Sequence, residues 1–331
     1  MPEFFINFVQ NNSLFVAVAK RILITDHVHP LLVEGLKAAG AIVDYDTSVD
    51  NSRLDAIAGL YDGIIINSKI MMDRQRIDRA GKLKFIGRLG SGLEIIDIVH
   101  AKKKGISVYN SPEGNRNAVA EHEFAMILAL LNNLVRADRE VRQFVWQREK
   151  NRGTELRGKT IGIIGLGHTG SSFAEKLYPW RLNVISYDKY RKRYPSSLRF
   201  VGKTDQDTIV RESDIISLHL PLTDETRYLV DRDFLSRCKD GVIISNTSRG
   251  GILDTRALVE ALENGKVGGA CLDVFENEKP ETFSDEETRL YQKLYKMENV
   301  VLSPHIAGWT QESLEGIAEV LLHKIIKGNH L

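Results

Sequence analysis

A glycine-rich run near the middle of the chain most constrains what this sequence can fold into. It reads Thr160-Ile-Gly-Ile-Ile-Gly-Leu-Gly-His-Thr-Gly170, with an apolar strand pattern before the glycines and a helical pattern after them. This is the context of a dinucleotide-binding turn. Gly165 would permit the tight turn, Gly167 would let backbone approach a pyrophosphate, and Gly170 would allow close packing of helix on strand. The N-terminus of the helix would then face the anion.

The position of this turn predicts a second domain. Such a turn usually opens its domain, yet here roughly 160 residues come first. A chain of 331 residues is long enough for about two domains of ordinary size. Its 43% hydrophobic and 27% charged residues are typical of a soluble globular protein. A substrate domain is therefore expected before the nucleotide site.

Charge, apolar runs and cysteine content argue against several classes of protein. A formal net charge of +1 gives no electrostatic footprint for nucleic acid or a membrane surface. No apolar stretch approaches the length of a membrane span. Cys238 and Cys271 imply no disulfide framework, so we expect two buried, reduced thiols and a cytoplasmic protein. The nine histidines lack the spacing of metal ligands, so no metal site is expected.

Residues 1–19 are expected to be an N-terminal extension. The chain begins MPEFFINFVQNNSLFVAVAK, with Glu3 where a signal peptide would carry positive charge. A fold would start at Lys20 with a short strand. We expect about the first 15 residues to be peripheral, as from an upstream start codon. Since the sequence ends at Leu331, we also expect no C-terminal regulatory domain.

From Arg21 onward strand patterns alternate with helical patterns, which predicts parallel α/β sheets. The expected strands are 22–25, 42–45, 63–67, 84–87, 106–109, 161–164, 183–187, 214–218, 241–245, 270–274 and 300–302. The expected helices are 30–39, 74–80, 95–104, 118–134, 172–178 and 312–327. The turn-like residues 110–115 are expected to form a hinge, and the closing helix is expected to pack back on the first domain.

Asp188 bears on the choice of cofactor. It ends the second strand of the nucleotide unit, 18 positions after Gly170. A carboxylate there can accept both ribose hydroxyls of adenosine and repels a 2′-phosphate, which favours NAD over NADP. Four basic residues directly follow Asp188. NADP therefore stays possible as the cofactor, unless these residues form a solvated loop. They are Lys189, Arg191, Lys192 and Arg193.

Six further motifs resemble the D-isomer-specific 2-hydroxyacid dehydrogenase family in their order and spacing, and the resemblance covers the chain from about Lys20. In chain order they read Gly87-Arg-Leu-Gly-Ser-Gly-Leu-Glu-Ile-Ile-Asp97, Asn115-Arg-Asn-Ala-Val-Ala-Glu121, Leu218-His-Leu-Pro-Leu-Thr-Asp-Glu-Thr226, Gly241-Val-Ile-Ile-Ser-Asn-Thr-Ser-Arg-Gly250, Leu272-Asp-Val-Phe-Glu-Asn-Glu278 and Ser303-Pro-His-Ile-Ala-Gly308.

The resemblance implies an α/β fold of two Rossmann-like, parallel-sheet domains. A flavodoxin-like substrate domain would comprise 20–115 and 310–331, and a doubly wound NAD-binding domain, 116–309, would be inserted into it. The implied activity is NAD-dependent interconversion of a D-2-hydroxy acid and its 2-keto acid. Hydroxypyruvate or glyoxylate reduction competes with 3-phosphoglycerate oxidation as the reaction. The alternative is an NADH-sensing binding protein of the corepressor type.

By the same resemblance the catalytic residues are Arg249, Glu278 and His305. Arg249 offers a planar fork of donors that suits a carboxylate. His305 is the side chain best suited to exchange a proton near neutral pH. Glu278 would favour the imidazolium and hold the tautomer. Glu276 is the alternative acid, although the family spacing of five residues from Asp273 selects Glu278.

The resemblance also implies the binding residues. Backbone N–H groups of Ser91, Gly92 and Leu93 would hold the substrate carboxylate together with Arg249 and His305. Lys69 would either reach a distal phosphate of the substrate or be solvated. The residues that would border the cofactor are Ser91, Gly165, Gly167, His168, Thr169, Gly170, Asp188, Leu220, Pro221, Thr247, Ser248, Arg249, Asp273, His305, Ala307 and Gly308.

A homodimer is implied as well. The apolar helix 118–134 and the arm 141–146 resemble the two-fold contact surface of the family. The alternative is an intramolecular core, since an apolar helix is buried in either case.

Overall fold

The structure is a computed structural model that describes residues 19–331. The expected N-terminal extension therefore lies outside the described residues, apart from Ala19. The described chain divides into two compact units. The first comprises 19–87, 97–109 and 322–331, and the second comprises 88–96 and 110–321. The domain boundaries expected from the sequence, at 115/116 and 309/310, stay a prediction.

The first unit contains a five-stranded parallel sheet with the order β2-β1-β3-β4-β5, which is the flavodoxin-like order. Strand β3 is buried along its whole length, as a parallel strand covered on both faces must be. In chain order the elements are β1 (Arg21–Ile24), α1 (Pro30–Ala38), β2 (Ile42–Tyr45), α2 (Asn51–Ile57), β3 (Gly63–Ile66), α3 (Arg74–Arg79), β4 (Phe85–Arg88), α4 (Ile98–Lys103) and β5 (Ser107–Tyr109).

The second unit is built on a seven-stranded parallel sheet with the order β12-β11-β10-β9-β6-β7-β8. Counted from β6, this is the doubly wound Rossmann order with one added strand. The elements are α5 (Pro112–Leu131), α6 (Leu134–Arg142), β6 (Thr160–Ile164), α7 (His168–Leu177), β7 (Asn183–Tyr187), β8 (Gly202–Lys203), α8 (Gln206–Glu212), β9 (Ile215–Leu218), α9 (Arg232–Arg237), β10 (Val242–Asn246), α10 (Thr255–Glu263), β11 (Val267–Leu272), α11 (Asp285–Lys296) and β12 (Val300–Leu302). The last helix, α12 (Gln311–Lys327), begins in the second unit, and its residues from 322 onward belong to the first.

The larger sheet has an apolar core on each face. Successive side chains of a strand point to opposite faces, so Ile215 joins one core and Ile216 the other. Helices α8 to α11 cover the face that contains Phe234 and Leu258. Helices α5 and α7 cover the opposite face, which contains Phe173. The two-domain α/β fold class predicted from the sequence is thus confirmed.

The structure corrects the expected start and end of two helices. Helix α5 begins at Pro112, inside the run expected to form a turn, because proline fits the first helical position without loss of a hydrogen bond. The helix expected over 118–134 is also broken near its end, where Asn133 adopts a left-handed conformation (φ 50°) and α6 begins at Leu134. Helix α7 starts at His168 rather than at Ser172.

Two further observations concern the class of protein. No single helix among residues 19–331 is long and apolar enough to cross a membrane. Helices α5 and α6 are long and apolar enough only when taken together, and they are bent by 65° at the break between them.

Cys238 and Cys271 are buried free thiols, and burial raises the pKa of the Cys238 thiol to about 11.

We predict that Leu258→Ala lowers the free energy of unfolding by about 2–5 kcal/mol, because it leaves a cavity under α10. Leu258 is fully buried in the core that α8 to α11 cover. Urea unfolding followed by circular dichroism measures the loss. Leu314→Ala, at an exposed position of α12, is the control and should change the free energy by no more than about 0.5 kcal/mol. Equal losses in the two variants would contradict the burial described here.

Candidate active site

The glycine-rich turn between β6 and α7 has the geometry of a dinucleotide cradle. Gly165 has φ +91°, and a Cβ there would lie 2.3 Å from the carbonyl oxygen of His219. A Cβ on Gly170 would lie 2.1 Å from the carbonyl oxygen of Gly165. A Cβ on Gly167 would instead meet nothing within 4 Å. Two glycines are therefore required by packing, whereas the backbone at Gly167 faces open space, which fits the approach of a pyrophosphate to the first turn of α7.

Asp188 ties the end of β7 to this turn. Its Oδ2 accepts a hydrogen bond from the backbone N–H of Leu166 at 2.7 Å. Its Oδ1 accepts from the N–H groups of Tyr190 at 2.9 Å and Arg191 at 2.7 Å. Burial alone would raise the pKa of the Asp188 carboxyl, but these hydrogen bonds and the charge of Arg191 outweigh burial and lower the pKa. Asp188 is therefore held as a carboxylate at the edge of the cradle.

Arg191 belongs to the basic run that follows β7, and its guanidinium is bound to the glycine-rich turn. Its Nη1 donates to the carbonyl oxygen of Leu166 and to Oγ of Ser171, the latter at 2.7 Å. This residue therefore does not belong to a freely solvated loop. Lys69 of the first unit is similarly engaged, because its Nζ donates to the carbonyl oxygen of Thr47 at 2.6 Å and lies 3.8 Å from Asp26 Oδ1.

The buried carboxylate of Asp273 shapes the turn that carries His305. Its Oδ1 accepts from Ser303 Oγ at 2.6 Å and from the N–H of Ile306 at 2.9 Å. Its Oδ2 accepts from the N–H of Ala307 at 2.8 Å. The N–H of His305 donates to the carbonyl oxygen of Asp273 at 2.7 Å, and His305 adopts a left-handed conformation with φ +57°. These four hydrogen bonds fix where the imidazole projects.

His305 is paired with Glu278. Its Nδ1 lies 2.8 Å from Glu278 Oε2, and Glu278 Oε1 accepts a weaker hydrogen bond from the N–H of Phe275 at 3.3 Å. Burial alone would raise the pKa of Glu278, but the bond and charge of His305, together with Phe275 and Arg249, lower it. Because Nδ1 is engaged by the carboxylate, Nε2 is the ring nitrogen that can exchange a proton with a ligand.

Glu276, the alternative acid, is held elsewhere. Its Oε1 accepts from the N–H of Thr255 at 2.8 Å, and its Oε2 accepts from the hydroxyl of Tyr228 at 2.6 Å. The bond to Glu276 also raises the pKa of Tyr228 to about 12. Of the two glutamates, Glu278 is therefore the one that faces the imidazole of His305.

Arg249 lies against the loop that contains Ser91 to Glu94. Its Nε donates to Glu94 Oε1 at 2.8 Å and its Nη2 to Oε2 at 3.5 Å, while Nη1 donates to the carbonyl oxygen of Ser248 at 2.6 Å. A Cβ on Gly92 would lie 1.9 Å from Nη2, so a side chain at this position would displace the guanidinium. Burial would raise the pKa of Glu94, yet the charge and hydrogen bond of Arg249 lower it.

Asparagine side chains hold two loops, the one after β10 that carries Arg249 and the one that contains Ser91. Asn246 Nδ2 donates to the carbonyl oxygen of Arg249 at 2.9 Å, and its Oδ1 accepts from the N–H of Ser248 at 3.0 Å. Asn110 Nδ2 donates to the carbonyl oxygen of Ser91 at 2.7 Å, and Ser91 Oγ donates to Asn115 Oδ1 at 3.1 Å. The loops that carry the expected substrate-binding groups are thus fixed by side-chain hydrogen bonds.

The other expected cofactor residues follow the carboxyl ends of parallel strands in the larger sheet, so they share one edge of it. His168 and Thr169 are the first two residues of α7. The strand ends contribute Gly165 to Gly170 after β6, Leu220 and Pro221 after β9, Thr247 to Arg249 after β10, Asp273 after β11, and His305, Ala307 and Gly308 after β12. Their roles as cofactor contacts stay a prediction.

Three residues of this site were not predicted: Glu94, Asn246 and Glu123. Glu94 stands only two residues from Gly92, but its partner Arg249 is 155 residues away in the sequence. Asn246 directly follows the strand expected over 241–245, and β10 extends to include it. Glu123 is fully buried within α5, and its hydroxyl partners are 94 or more residues away in the sequence. A carboxylate inside an otherwise apolar helix was the available signal for Glu123.

The fold and geometry define a dinucleotide-binding α/β protein that has an arginine and a histidine–glutamate pair at the carboxyl edge of its larger sheet. Residues 124–307 match the sequence model described as "D-isomer specific 2-hydroxyacid dehydrogenase, NAD binding domain". The chain therefore belongs to the D-isomer-specific 2-hydroxyacid dehydrogenase family and carries its NAD-binding domain.

Similar proteins carry several substrate names. A D-3-phosphoglycerate dehydrogenase of Archaeoglobus fulgidus is 36% identical over 306 residues, which cover 92% of this chain but 56% of that protein. A hydroxypyruvate reductase of Thermotoga maritima is 39% identical over 84% of this chain and 88% of its own length. The crystal structure of D-lactate dehydrogenase from Aquifex aeolicus, complexed with NAD and lactic acid, has a TM-score of 0.81 at 31% identity and covers 93% of this chain and 96% of that one. The chain thus spans little more than half of the phosphoglycerate dehydrogenase it matches.

We predict that Asp188→Asn destabilises the protein at neutral pH and that this loss disappears in acid. The pKa of Asp188 in the folded protein is lowered from its usual 3.8. Its contribution to stability is therefore present above the unfolded value and is lost as the pH falls through the folded value. Urea unfolding of wild type and variant at several pH values measures the gap between them. Asp224→Asn, at an exposed position, is the control. A gap that is constant down to the acid limit would contradict the prediction.

Proposed function

We propose that this protein is an NAD-dependent oxidoreductase that interconverts a D-2-hydroxy acid and its 2-keto acid. The observation that carries the proposal is the 2.8 Å contact of His305 with Glu278, at the same sheet edge as Arg249 and the glycine cradle. The names of similar proteins support two types of reaction. One is that of a hydroxypyruvate or glyoxylate reductase, and the other is that of a 3-phosphoglycerate dehydrogenase.

Arg249 is proposed to bind the substrate. An arginine has five N–H donors, of which three point to Glu94 and Ser248. The remaining donors are proposed to hold the carboxylate and the carbonyl oxygen of a 2-keto acid. A planar guanidinium suits this because it can donate two hydrogen bonds in one plane. Glu94 holds the guanidinium in place from the other side.

His305 is proposed to be the proton donor in reduction and the acceptor in oxidation. Bound nicotinamide supplies the hydride in reduction. Glu278 holds Nδ1, so Nε2 delivers the proton to the oxygen that becomes the hydroxyl. The negative charge of Glu278 favours the protonated imidazole, which reduction requires.

NAD rather than NADP is the proposed cofactor. Asp188 is a carboxylate at the end of β7, where a 2′-phosphate would meet a negative charge. Arg191 is already engaged by Leu166 and Ser171. Its guanidinium is therefore less available to a 2′-phosphate than the sequence alone indicates.

We also propose that the protein is a cytoplasmic homodimer. Helix α6 and the residues after it expose apolar side chains, including Phe144 at 97% and Trp146 at 75% of their surface. Several large apolar side chains exposed in one segment fit an interface with a second copy of the chain. Two buried free thiols fit a reducing compartment. Light scattering should give the mass of two chains, and a monomer at all concentrations would reject the dimer.

The activity is tested by following NADH absorbance with hydroxypyruvate, glyoxylate and phosphohydroxypyruvate as separate substrates. We predict turnover with at least one of them and a loss of kcat/KM of about 10²–10⁴-fold in His305→Gln and in Arg249→Gln. Arg199→Gln, at an exposed position, serves as the control and should keep wild-type activity. Undiminished turnover in both site variants, or none with any substrate in the wild type, would overturn the proposal.

We predict that Glu278→Gln lowers kcat/KM for keto-acid reduction by about 10²–10⁴-fold, because an amide does not hold Nδ1 of His305 as the carboxylate does at 2.8 Å. The measurement is kcat/KM for the reduction at one fixed pH. Glu276→Gln is the matched control, two residues away and facing Thr255 and Tyr228, and should lose much less activity. A loss in the control and not in Glu278→Gln would assign the acid to Glu276.

A further inference from the structure

Glu123 is a fully buried acid that the proposed reaction does not use. Among residues 19–331 only Glu123 and Asp273 are acidic and fully buried. Asp273 accepts mainly backbone N–H groups, whereas Glu123 faces side chains. These side chains and Glu123 form what we name the Glu123 cluster, which consists of Glu123, Ser217, His219, Ser245 and Thr247.

Three hydroxyl groups donate to the carboxylate of Glu123. Its Oε1 accepts from Ser217 Oγ and from Ser245 Oγ, both at 2.6 Å. Its Oε2 accepts from Thr247 Oγ1 at 3.1 Å. His219 Nε2 lies 3.4 Å from the same Oε2 and 2.7 Å from Ser217 Oγ. A set made only of donors is what an ionised carboxylate needs, since it can accept but not donate.

The imidazole of His219 does not cancel this charge. Because Ser217 gives its proton to Glu123, its oxygen accepts from Nε2 of His219, and the proton of a neutral ring is therefore on Nε2. Nδ1 is buried without a hydrogen-bond partner among the described residues, so a second proton there would be an unsatisfied donor. Burial lowers the pKa of His219, and the charge of Glu123 opposes this only in part. The Glu123 cluster thus carries one net negative charge.

This charge lies just inside the carboxyl edge of β9 and β10. Ser217 and Ser245 are direct partners in the register of these neighbouring strands. Thr247 directly follows β10, and Arg249 is two residues further along. Ligands of doubly wound sheets bind outside the carboxyl ends of the strands. Arg249 is proposed to bind the substrate, and hydride transfer requires the nicotinamide to lie beside the substrate carbon. The buried charge is therefore next to the proposed position of the nicotinamide.

We infer that Glu123 sets the redox preference of the dinucleotide site, because its buried negative charge favours the cationic, oxidised nicotinamide over the neutral, reduced one. A charge in the interior acts with a much lower effective dielectric constant than one in water. Since the ring becomes positive as it gives up hydride, the same charge assists reduction of the keto acid. The inference rests on the proposed function, which supplies the nicotinamide.

The test compares the dissociation constants of NAD⁺ and NADH, each measured by titration calorimetry without substrate. In Glu123→Gln the affinity for NAD⁺ should fall relative to that for NADH by roughly three- to tenfold. Glu121→Gln makes the same chemical change two residues earlier in α5. The side chain of Glu121 is 62% exposed and paired with Lys176 at 3.0 Å, so the ratio should stay at its wild-type value.

Two further variants separate charge from packing. Glu123→Met removes the charge with an apolar side chain of similar length and should shift the ratio in the same direction, even if Glu123→Gln does not fold. Glu123→Asp keeps the charge and should retain most of the wild-type ratio. An unchanged ratio in folded, uncharged variants, or equal weakening of both nucleotides, would overturn the inference. If wild-type protein binds neither nucleotide, the proposed function itself fails.

Discussion

The parallel direction of all seven strands in the larger sheet is the constraint on which the site depends. Because the strands are parallel, each one ends at the same edge, and the chain must cross back, in most cases along a helix, before the next begins. Segments from β6, β9, β10, β11 and β12 therefore meet although they are far apart in the sequence. The glycine cradle, Arg249 and His305 owe their proximity to this arrangement rather than to any local motif.

Carboxylates at strand ends then turn a shared edge into fixed geometry. Asp188 binds three backbone N–H groups beside the cradle, and Asp273 binds two in the turn that carries His305. Hydrogen bonds to an ionised acceptor are roughly twice as strong as neutral ones. They hold loops that no regular ladder stabilises, including the left-handed conformation of His305, which a residue with a side chain rarely adopts unsupported.

The sequence predicted what depends on local pattern. The apolar runs at β2, β7 and β12 have the expected bounds, and the glycine spacing located the cradle. The sequence did not predict that α5 begins at Pro112, because proline and glycine are typical of turns as well as of helix starts. Nor could it pair Glu94 with Arg249 or Glu123 with Ser217 and Ser245, because such pairs arise only when distant strand ends meet. The family spacing already selected Glu278 over Glu276, and the structure adds the contact that Glu278 makes with His305.

The distribution of charge in the site follows from these pairs. Glu94 balances Arg249, and Glu278 balances His305 when the imidazole is protonated. Each of these groups is at least partly exposed, so water screens what remains of its field. Glu123 is fully buried, and among residues 19–331 its ion-pair contact is with a histidine that stays neutral. The negative charge of Glu123 is therefore neither balanced by a cation nor screened by water, and it lies beneath the strand ends where a ring that changes its charge would bind.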